Sequence, residues 1–333
     1  MQIALNNVIA RPNSRTKKAD FVAHAAKWIN AKGDEPVTEV AVRTLKTRLE
    51  MVQQYLAKAA IKYEDDDEYV HQLRVWSRRA DAAIEMYREL MPEWRVAWIQ
   101  KQLMRIRKAT NDARDDDVFA ERLAEDKTPD TDGLLKRVVE HRVEAQQEVL
   151  RIYERMTKRK GRFGRRVEKL LKRVRLRDKH RKSKPTYRAW AKGHLRPILD
   201  EFFEMAEGDL TDTERLHQFR IMGKNLRYAM ELLSAAFCSQ LRNKAYPPLE
   251  TLQDQLGRVN DHVSPLIRIG HWIEENDDEE RAKYLVEMLK SEQDQLKESC
   301  RSFAAWWSAE RRDRLREVFE EVLGDSSAAR KTV

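Results

Sequence analysis

Residues 71–91, HQLRVWSRRADAAIEMYRELM, decide the fold because the chain contains a closely similar stretch a second time. The second copy, HQFRIMGKNLRYAMELLSAAF, occupies residues 217–237, at an offset of 146 residues. The same offset holds for another motif, since ARDDDV at 113–118 aligns without a gap with VNDHVS at 259–264. Two motifs that recur at one separation are typical of a tandem duplication, so the repeat sets the expected architecture.

Each copy has the pattern of an amphipathic helix. At about 100° per residue, the His and most charged positions fall on one face and the apolar residues fall on the other. The charged faces carry His71, Arg74, Arg78, Asp81 and Glu85 in the first copy, and His217, Arg220, Lys224, Arg227 and Glu231 in the second, with Tyr228 beside them. A solvated face would explain the amphipathicity, but it does not explain why the His and the cations recur in register.

These stretches resemble a known family. VHQLRVWSRR and LHQFRIMGKNLRYAMELL are similar to the two signature helices of the CHAD domain, the conserved histidine α-helical domain, and ARDDDV and LGRVNDHV are similar to its two Arg/Asn-Asp turns. The resemblance covers roughly residues 38 to 323. It implies an all-α fold of two similar helical bundles, related by a pseudo-two-fold axis, with a basic cavity between them. It also implies non-catalytic binding of inorganic polyphosphate and association with polyphosphate granules.

The charged faces of the two helices, called stripes below, and the family resemblance together predict three groups of site residues. The expected polyphosphate-binding residues are His71, Arg74, Arg78, Arg79, His217, Arg220, Lys224, Arg227 and Tyr228. Additional anion contacts are expected at Lys46, Lys192, Arg114, Arg166, Lys169 and Arg173. Four carboxylates are expected to orient cations rather than to contact the ligand, because a carboxylate repels phosphate: Asp115, Asp261, Glu85 and Glu231. We predict no catalytic residue, no metal ligand and no cofactor.

The spacing of the stripes suits a polymeric anion. Groups at i, i+3 and i+7 of a helix are about 4.5 and 6 Å apart along its axis, so they can follow successive phosphates. Arginine can bind two oxygens at once, lysine acts as a point charge, and histidine adds a donor.

Composition favours long helices over sheets, because charged residues make up 36% of the chain and only 10 Gly and 9 Pro interrupt its 333 residues. The predicted division is a lead-in at 1–36, a first bundle at 37–177, a linker at 178–185, a second bundle at 186–323 and a disordered tail at 324–333. The two bundles, 37–323, would together form one CHAD domain.

Residues 158–184 carry the excess of positive over negative charge in the chain. They contain fifteen Lys and Arg against two acidic residues, which is +13, while the whole chain carries +9. We expect a loop at 128–133, a helix ending near Lys158, and a second helix near 162–176. This segment keeps two alternatives open: non-specific nucleic-acid binding, and a scaffold that docks an acidic partner. Aromatic residues are sparse within the segment, so base stacking is not indicated.

Other functional classes find little support in the sequence. Cys238 and Cys300 form no disulfide framework and no metal-binding spacing. A Gly-rich phosphate loop is missing, as is an i, i+4 pair of histidines. No apolar run is long enough for a membrane span, and the first residues lack the apolar core of a secretory signal. We therefore expect a cytoplasmic protein without membrane partners and leave its oligomeric state open.

Overall fold

The fold of the chain is all-α, as predicted. A computed structural model describes residues 27–66, 68–125, 129–179, 183–210, 212–237, 239–275 and 279–324. Within these ranges the chain forms eleven α-helices and no strand. The predicted tail at 324–333 lies almost entirely outside the described residues, as does most of the lead-in.

The described chain divides into two compact units. Unit 1 contains Lys27 and residues 36–185, and unit 2 contains residues 28–35 and 186–324. The helices of unit 1 are α1 (Val37–Ile61), α2 (Glu68–Met86), α3 (Glu93–Ala109), α4 (Asn111–Glu125) and α5 (Pro129–Leu176). Those of unit 2 are α6 (Tyr187–Ala206), α7 (Thr213–Leu233), α8 (Tyr246–Asn260), α9 (Val263–Glu274), α10 (Glu279–Trp306) and α11 (Ala309–Gly324).

The last residues of the lead-in belong to unit 2. The carbonyl of Glu35 accepts a hydrogen bond from the Tyr187 amide at 2.8 Å, and the carbonyl of Gly33 accepts one from the Arg188 amide at 2.9 Å. Trp28 packs edge-on against Tyr246, with ring centroids 4.7 Å apart. The two hydrogen bonds fix the start of α6, and the ring contact joins Trp28 to the start of α8.

Both signature helices bury the faces predicted for them. On α2 the side chains of Leu73, Trp76, Ala80 and Ile84 are fully buried. On α7 the buried face consists of Phe219, Met222, Leu226, Met230 and Leu233. In unit 2 this face joins an aromatic core, where Phe219 lies 5.3 Å from Phe202 and 5.7 Å from Trp307 between ring centroids. Burial of these apolar faces turns the opposite, charged faces of α2 and α7 away from the cores.

The basic segment is part of one helical run. We expected a loop at 128–133 and separate helices before and after residue 160, but α5 extends from Pro129 to Leu176. Gly161 has φ +70°, in the left-handed region that glycine alone adopts readily. The glycine thus absorbs the local departure from helical geometry at the position where the sequence predicted a break.

One approach between helices recurs in both units at equivalent positions. Arg107 donates to the carbonyl of Ser77 at 3.4 Å in unit 1. Their counterparts at the offset of 146 are Gln253 and Gly223, and Gln253 lies so close to Gly223 that a Cβ there would meet its Nε2 at 2.3 Å. The parallel agrees with a duplication, while superposition of the two bundles stays a prediction.

Candidate functional site

The stripe of unit 1 lies on the polar face of α2. His71, Arg74, Arg78 and Arg79 are all half-buried, at the edge of a fully buried apolar face. Arg79 also lies over the ring of Trp76, with its guanidinium carbon 4.9 Å from the ring centroid. The four side chains are therefore partly withdrawn from water, which strengthens their electrostatic interactions with one another and with any ligand.

Arg74 is held at the junction of α3 and α4. Its Nη1 donates to the carbonyl of Arg107 at 3.0 Å and to Oδ1 of Asn111. Burial and the nearby Arg78 lower the pKa of Arg74 to about 10, against the opposing effect of Asp115. Asp115 thus lies close enough to favour the charged form of Arg74.

His71 lies in a strongly positive environment. Burial is the main cause that lowers its pKa to about 4, and four arginines add to the effect: Arg114, Arg78, Arg74 and Arg79. The imidazole is therefore neutral at physiological pH, and its ring nitrogens can donate or accept a hydrogen bond without adding to the positive charge. Arg114 was expected only as an additional contact, but it has the largest effect of the four arginines on the pKa of His71.

The stripe of unit 2 lies on α7 and is more open at its start. His217 is exposed, Arg220, Lys224 and Arg227 are half-buried, and Tyr228 is buried with the Arg227 guanidinium carbon 5.3 Å from its ring centroid. Burial works against the charge of Arg227, but neighbouring Tyr228, Tyr246 and Glu231 outweigh it, and the pKa of Arg227 rises.

The four expected orienting carboxylates have different surroundings. Glu231 is buried and accepts a hydrogen bond from the Tyr246 hydroxyl at 3.0 Å, close to Arg227. Asp261 is exposed at the C-terminal end of α8. Glu85 orients a cation outside the α2 stripe, because it accepts hydrogen bonds from Arg88 in a fork at 2.9–3.0 Å. That binding to Arg88 also holds the pKa of Glu85 below its ordinary value.

The remaining expected cations are spread over both units. Lys46 pairs with Glu50 on the surface of α1 at 3.8 Å, and Lys192 is exposed on α6. Arg166 lies over the ring of Trp98, at 4.3 Å from guanidinium carbon to ring centroid. Lys169 and Arg173 are exposed on the same helix as Arg166. None of these contacts connects the five residues to the α2 stripe. Arg114 differs from them, because it acts on His71 of that stripe.

Sequence reasoning missed two residues that shape the stripe of unit 1. Asn111 accepts from Arg74, and Arg107 forms an ion pair with Asp81 at 2.9 Å. At the repeat offset these positions are Gly257 and Gln253, so the duplication gave no signal for them. The only clue was proximity to the motif that begins at residue 113.

Each Arg/Asn-Asp motif contributes one member of an acid–histidine pair, although the motif at 113–118 lies within helix α4 and does not form the expected turn. In unit 1 the fully buried carboxylate of Asp116 lies 2.8 Å from Nδ1 of His141. In unit 2 Nδ1 of His262 lies 2.9 Å from Glu292. The acid and the base exchange places between the two halves, yet each pair ties a short helix to the long helix that follows it.

Neither metal binding nor membrane insertion finds support in the described part of the chain. No group of three or more His, Cys, Asp or Glu within these ranges could hold a metal ion. Likewise, no helix described here is long and apolar enough to cross a bilayer.

Comparison with known proteins identifies the fold. Residues 43–269 match the family model of the CHAD domain. The crystal structure of the CHAD domain from the plant Ricinus communis is similar, with TM-score 0.66 and 20% identity over 85% of this chain and 96% of that chain. PptA from Streptomyces chartreusis gives TM-score 0.56 and 14% identity over 82% of this chain and 99% of that chain. No curated protein matches the sequence.

Proposed function

The chain belongs to the CHAD domain family, and from the chemistry of its two stripes we propose that it binds inorganic polyphosphate without turning it over. The stripe residues of α2 and α7 supply the contacts, and the basic cavity expected between the bundles would bring both stripes to one polyanion. We also propose that the protein resides in the cytoplasm and associates with polyphosphate granules.

The observation that carries this proposal is the cluster around His71. Four arginines act together on one imidazole and add to the effect of burial, which is the larger cause of its lowered pKa. Like charges gathered in a half-buried site repel one another, and a bound polyanion would relieve that repulsion. Phosphate oxygens accept hydrogen bonds from guanidinium groups in a bidentate manner, and neutral His71 can add a donor.

Arg78 offers a specific donor for such a ligand. Its Nε is buried and has no hydrogen-bond partner among the described residues. A buried donor that is left unsatisfied is unfavourable by about 1–3 kcal/mol, so an anion that accepts from it would gain affinity. Arg74 differs, because its guanidinium already bonds to the α3–α4 junction.

Charge reversal at Arg78 and at its repeat counterpart Lys224 tests the proposal. Arg78→Glu and Lys224→Glu, singly and together, are compared by calorimetry with a short polyphosphate of defined length. Each lost charge-assisted hydrogen bond is worth about 1.5–3 kcal/mol, so each single change should weaken binding about tenfold or more. The matched control is Lys172→Glu with Arg175→Glu, which reverses two exposed cations of α5 and should have little effect.

Stoichiometry separates a shared ligand from two independent sites. If both stripes bind one polyphosphate, each single variant keeps the number of bound chains and loses affinity. If the stripes act separately, a single variant keeps one site of unchanged affinity and loses the other. Equal losses in the stripe and control variants would refute the proposal in favour of diffuse electrostatic attraction.

Absence of turnover is tested directly. Polyphosphate incubated with the protein, with and without a divalent cation, should keep its length distribution on a gel. Shortening of the polymer that disappears in the Arg78→Glu variant would show that the same site is catalytic.

A further inference from the structure

A second surface of unit 1 combines exposed tryptophans with cations, and it lies on α3. At about 100° per residue, five side chains of this helix fall within a sector of about 80°: Trp94, Trp98, Lys101, Arg105 and Lys108. The opposite side of α3 is the buried one and carries Val96, Ile99, Leu103 and Ile106. The outer face of α3 therefore begins with two indole rings and continues with three cations.

The rings on this surface are accessible and already stack on guanidinium groups. Trp94 is 60% exposed, and the guanidinium carbon of Arg95 lies 4.1 Å from its ring centroid. Trp98 is half-buried, with the Arg166 guanidinium carbon at 4.3 Å and the Phe163 ring centroid at 6.1 Å. A large apolar ring that remains mostly in water contributes little to folding, so it stays available to stack on a ligand.

The contact between Trp98 and Arg166 joins α3 to the basic part of α5. On α5 a row of four cations lies within a sector of about 60°: Arg162, Arg166, Lys169 and Arg173. The neighbouring face of that helix is buried through Phe163, Val167, Leu170 and Val174. The aromatic pair of α3 is thus placed at the edge of a continuous cationic row, although aromatic residues are sparse within residues 158–184 themselves.

We infer that this surface, the α3–α5 face, binds single-stranded nucleic acid. Cations that follow a phosphate backbone, next to aromatic rings on which bases stack, are the two features that such binding requires. Inorganic polyphosphate offers the same charge but no flat apolar group, so it would gain nothing from Trp94 and Trp98. A duplex keeps its bases stacked on one another and would use only the cations.

The test measures binding of a labelled oligothymidylate of about 16 nucleotides to the full chain by fluorescence anisotropy at fixed salt. Stacking of a single base on an aromatic ring contributes enough that Trp94→Ala should weaken binding about fivefold or more. Affinity for polyphosphate should be unchanged. Trp98→Phe keeps a ring at the contact with Phe163 and Arg166, and it should retain most of the affinity.

Two matched controls sharpen the result. Trp306→Ala removes another arginine-covered indole, with Arg311 at 4.5 Å, from unit 2, and it should leave oligothymidylate binding unchanged. Arg162→Glu with Lys169→Glu should weaken binding far more than Lys172→Glu with Arg175→Glu, which makes the same charge change on another side of α5.

Three outcomes would each overturn the inference: unaltered oligothymidylate affinity in Trp94→Ala, an equal loss of polyphosphate affinity in that variant, or equal affinity of the protein for duplex and single strand. The Arg78→Glu variant should keep oligothymidylate binding, so failure of the polyphosphate proposal would be seen separately.

Discussion

The titration of His71 should change when polyphosphate binds. In the free protein, burial and the surrounding arginines lower its pKa to about 4, far below the ordinary 6.5 of an imidazole. A polyanion placed on Arg74 and Arg78 would offset the positive field at His71. The pKa of His71 should therefore rise on binding, and the complex should take up protons at pH values between the free and the bound pKa.

The size of this effect follows from the causes of the lowered pKa. Burial is the larger cause and persists in the complex, so only the part due to the arginines can be relieved. We expect the pKa of His71 to rise by about one pH unit or more, which corresponds to about tenfold tighter binding by the protonated form. Because the complex holds the proton more strongly, affinity should increase as the pH falls from the raised pKa of the complex to the pKa of about 4 of the free protein, and the contribution of His71 should vanish above that window.

Nuclear magnetic resonance of the histidine rings gives the measurement, with His71→Gln to identify the signal. The same variant should lose the His71 part of the pH dependence in calorimetry, which separates it from titration of the terminal phosphates. If saturating polyphosphate leaves the pKa of His71 unchanged, the ligand does not lie near the α2 stripe, and the proposed site is wrong.

The same pKa has a consequence for the free protein. Its folded value lies below that of the unfolded chain, so the unfolded state binds more protons between pH 6.5 and 4. The free energy of unfolding should consequently fall as the pH drops through this window. Denaturant titrations of the wild type should show this fall, and His71→Gln should reduce it.

Two further predictions concern stability. Gly161→Ala should destabilise the protein by about 1–2 kcal/mol because φ +70° is unfavourable for alanine. The control is Gly133→Ala on the same helix, where the added Cβ meets open space and should have a neutral or stabilising effect. Equal unfolding midpoints of the two variants in urea would contradict this prediction. Asp116→Ala removes the buried acceptor next to His141 and should lower the free energy of unfolding by about 1–3 kcal/mol, which thermal melting checks; an unchanged melting temperature would show that the pair contributes nothing.

The amphipathic helices could be predicted from the sequence because their determinant is local. Leu73, Trp76, Phe219 and Leu226 recur with the helical period and are all buried. Once the buried face of a helix is known, the opposite face must point outward, so the same period also predicted the positions of the charged stripes. The resemblance of the two motifs to a known family supplied the rest of the architecture.

Contacts between helices were not predictable in this way. Arg74 is 37 residues from Asn111, and neither spacing nor the repeat links them. Glu85 was assigned to the α2 stripe by its angle on the helix, but Arg88 lies one turn away and offers a forked partner. Similarly, Trp98 and Arg166 belong to different helices, so a survey of residues 158–184 alone finds few aromatic groups.

The α2 and α7 stripes share a spacing of like charges that recurs at equivalent positions of both halves of the chain. Some cations elsewhere pair with carboxylates one turn away, as in Arg151 with Glu148 and Arg314 with Glu310, whereas others, such as those of the α3–α5 face, also follow one another at i and i+4. The stripes place cations at i and i+4, Arg74 with Arg78 and Arg220 with Lys224. Like charges at this spacing destabilise a helix by about 0.2–0.5 kcal/mol per pair. A solvated face would have no reason to repeat this arrangement in both halves, whereas a polyanion that neutralises both cations would turn the repulsion into binding free energy.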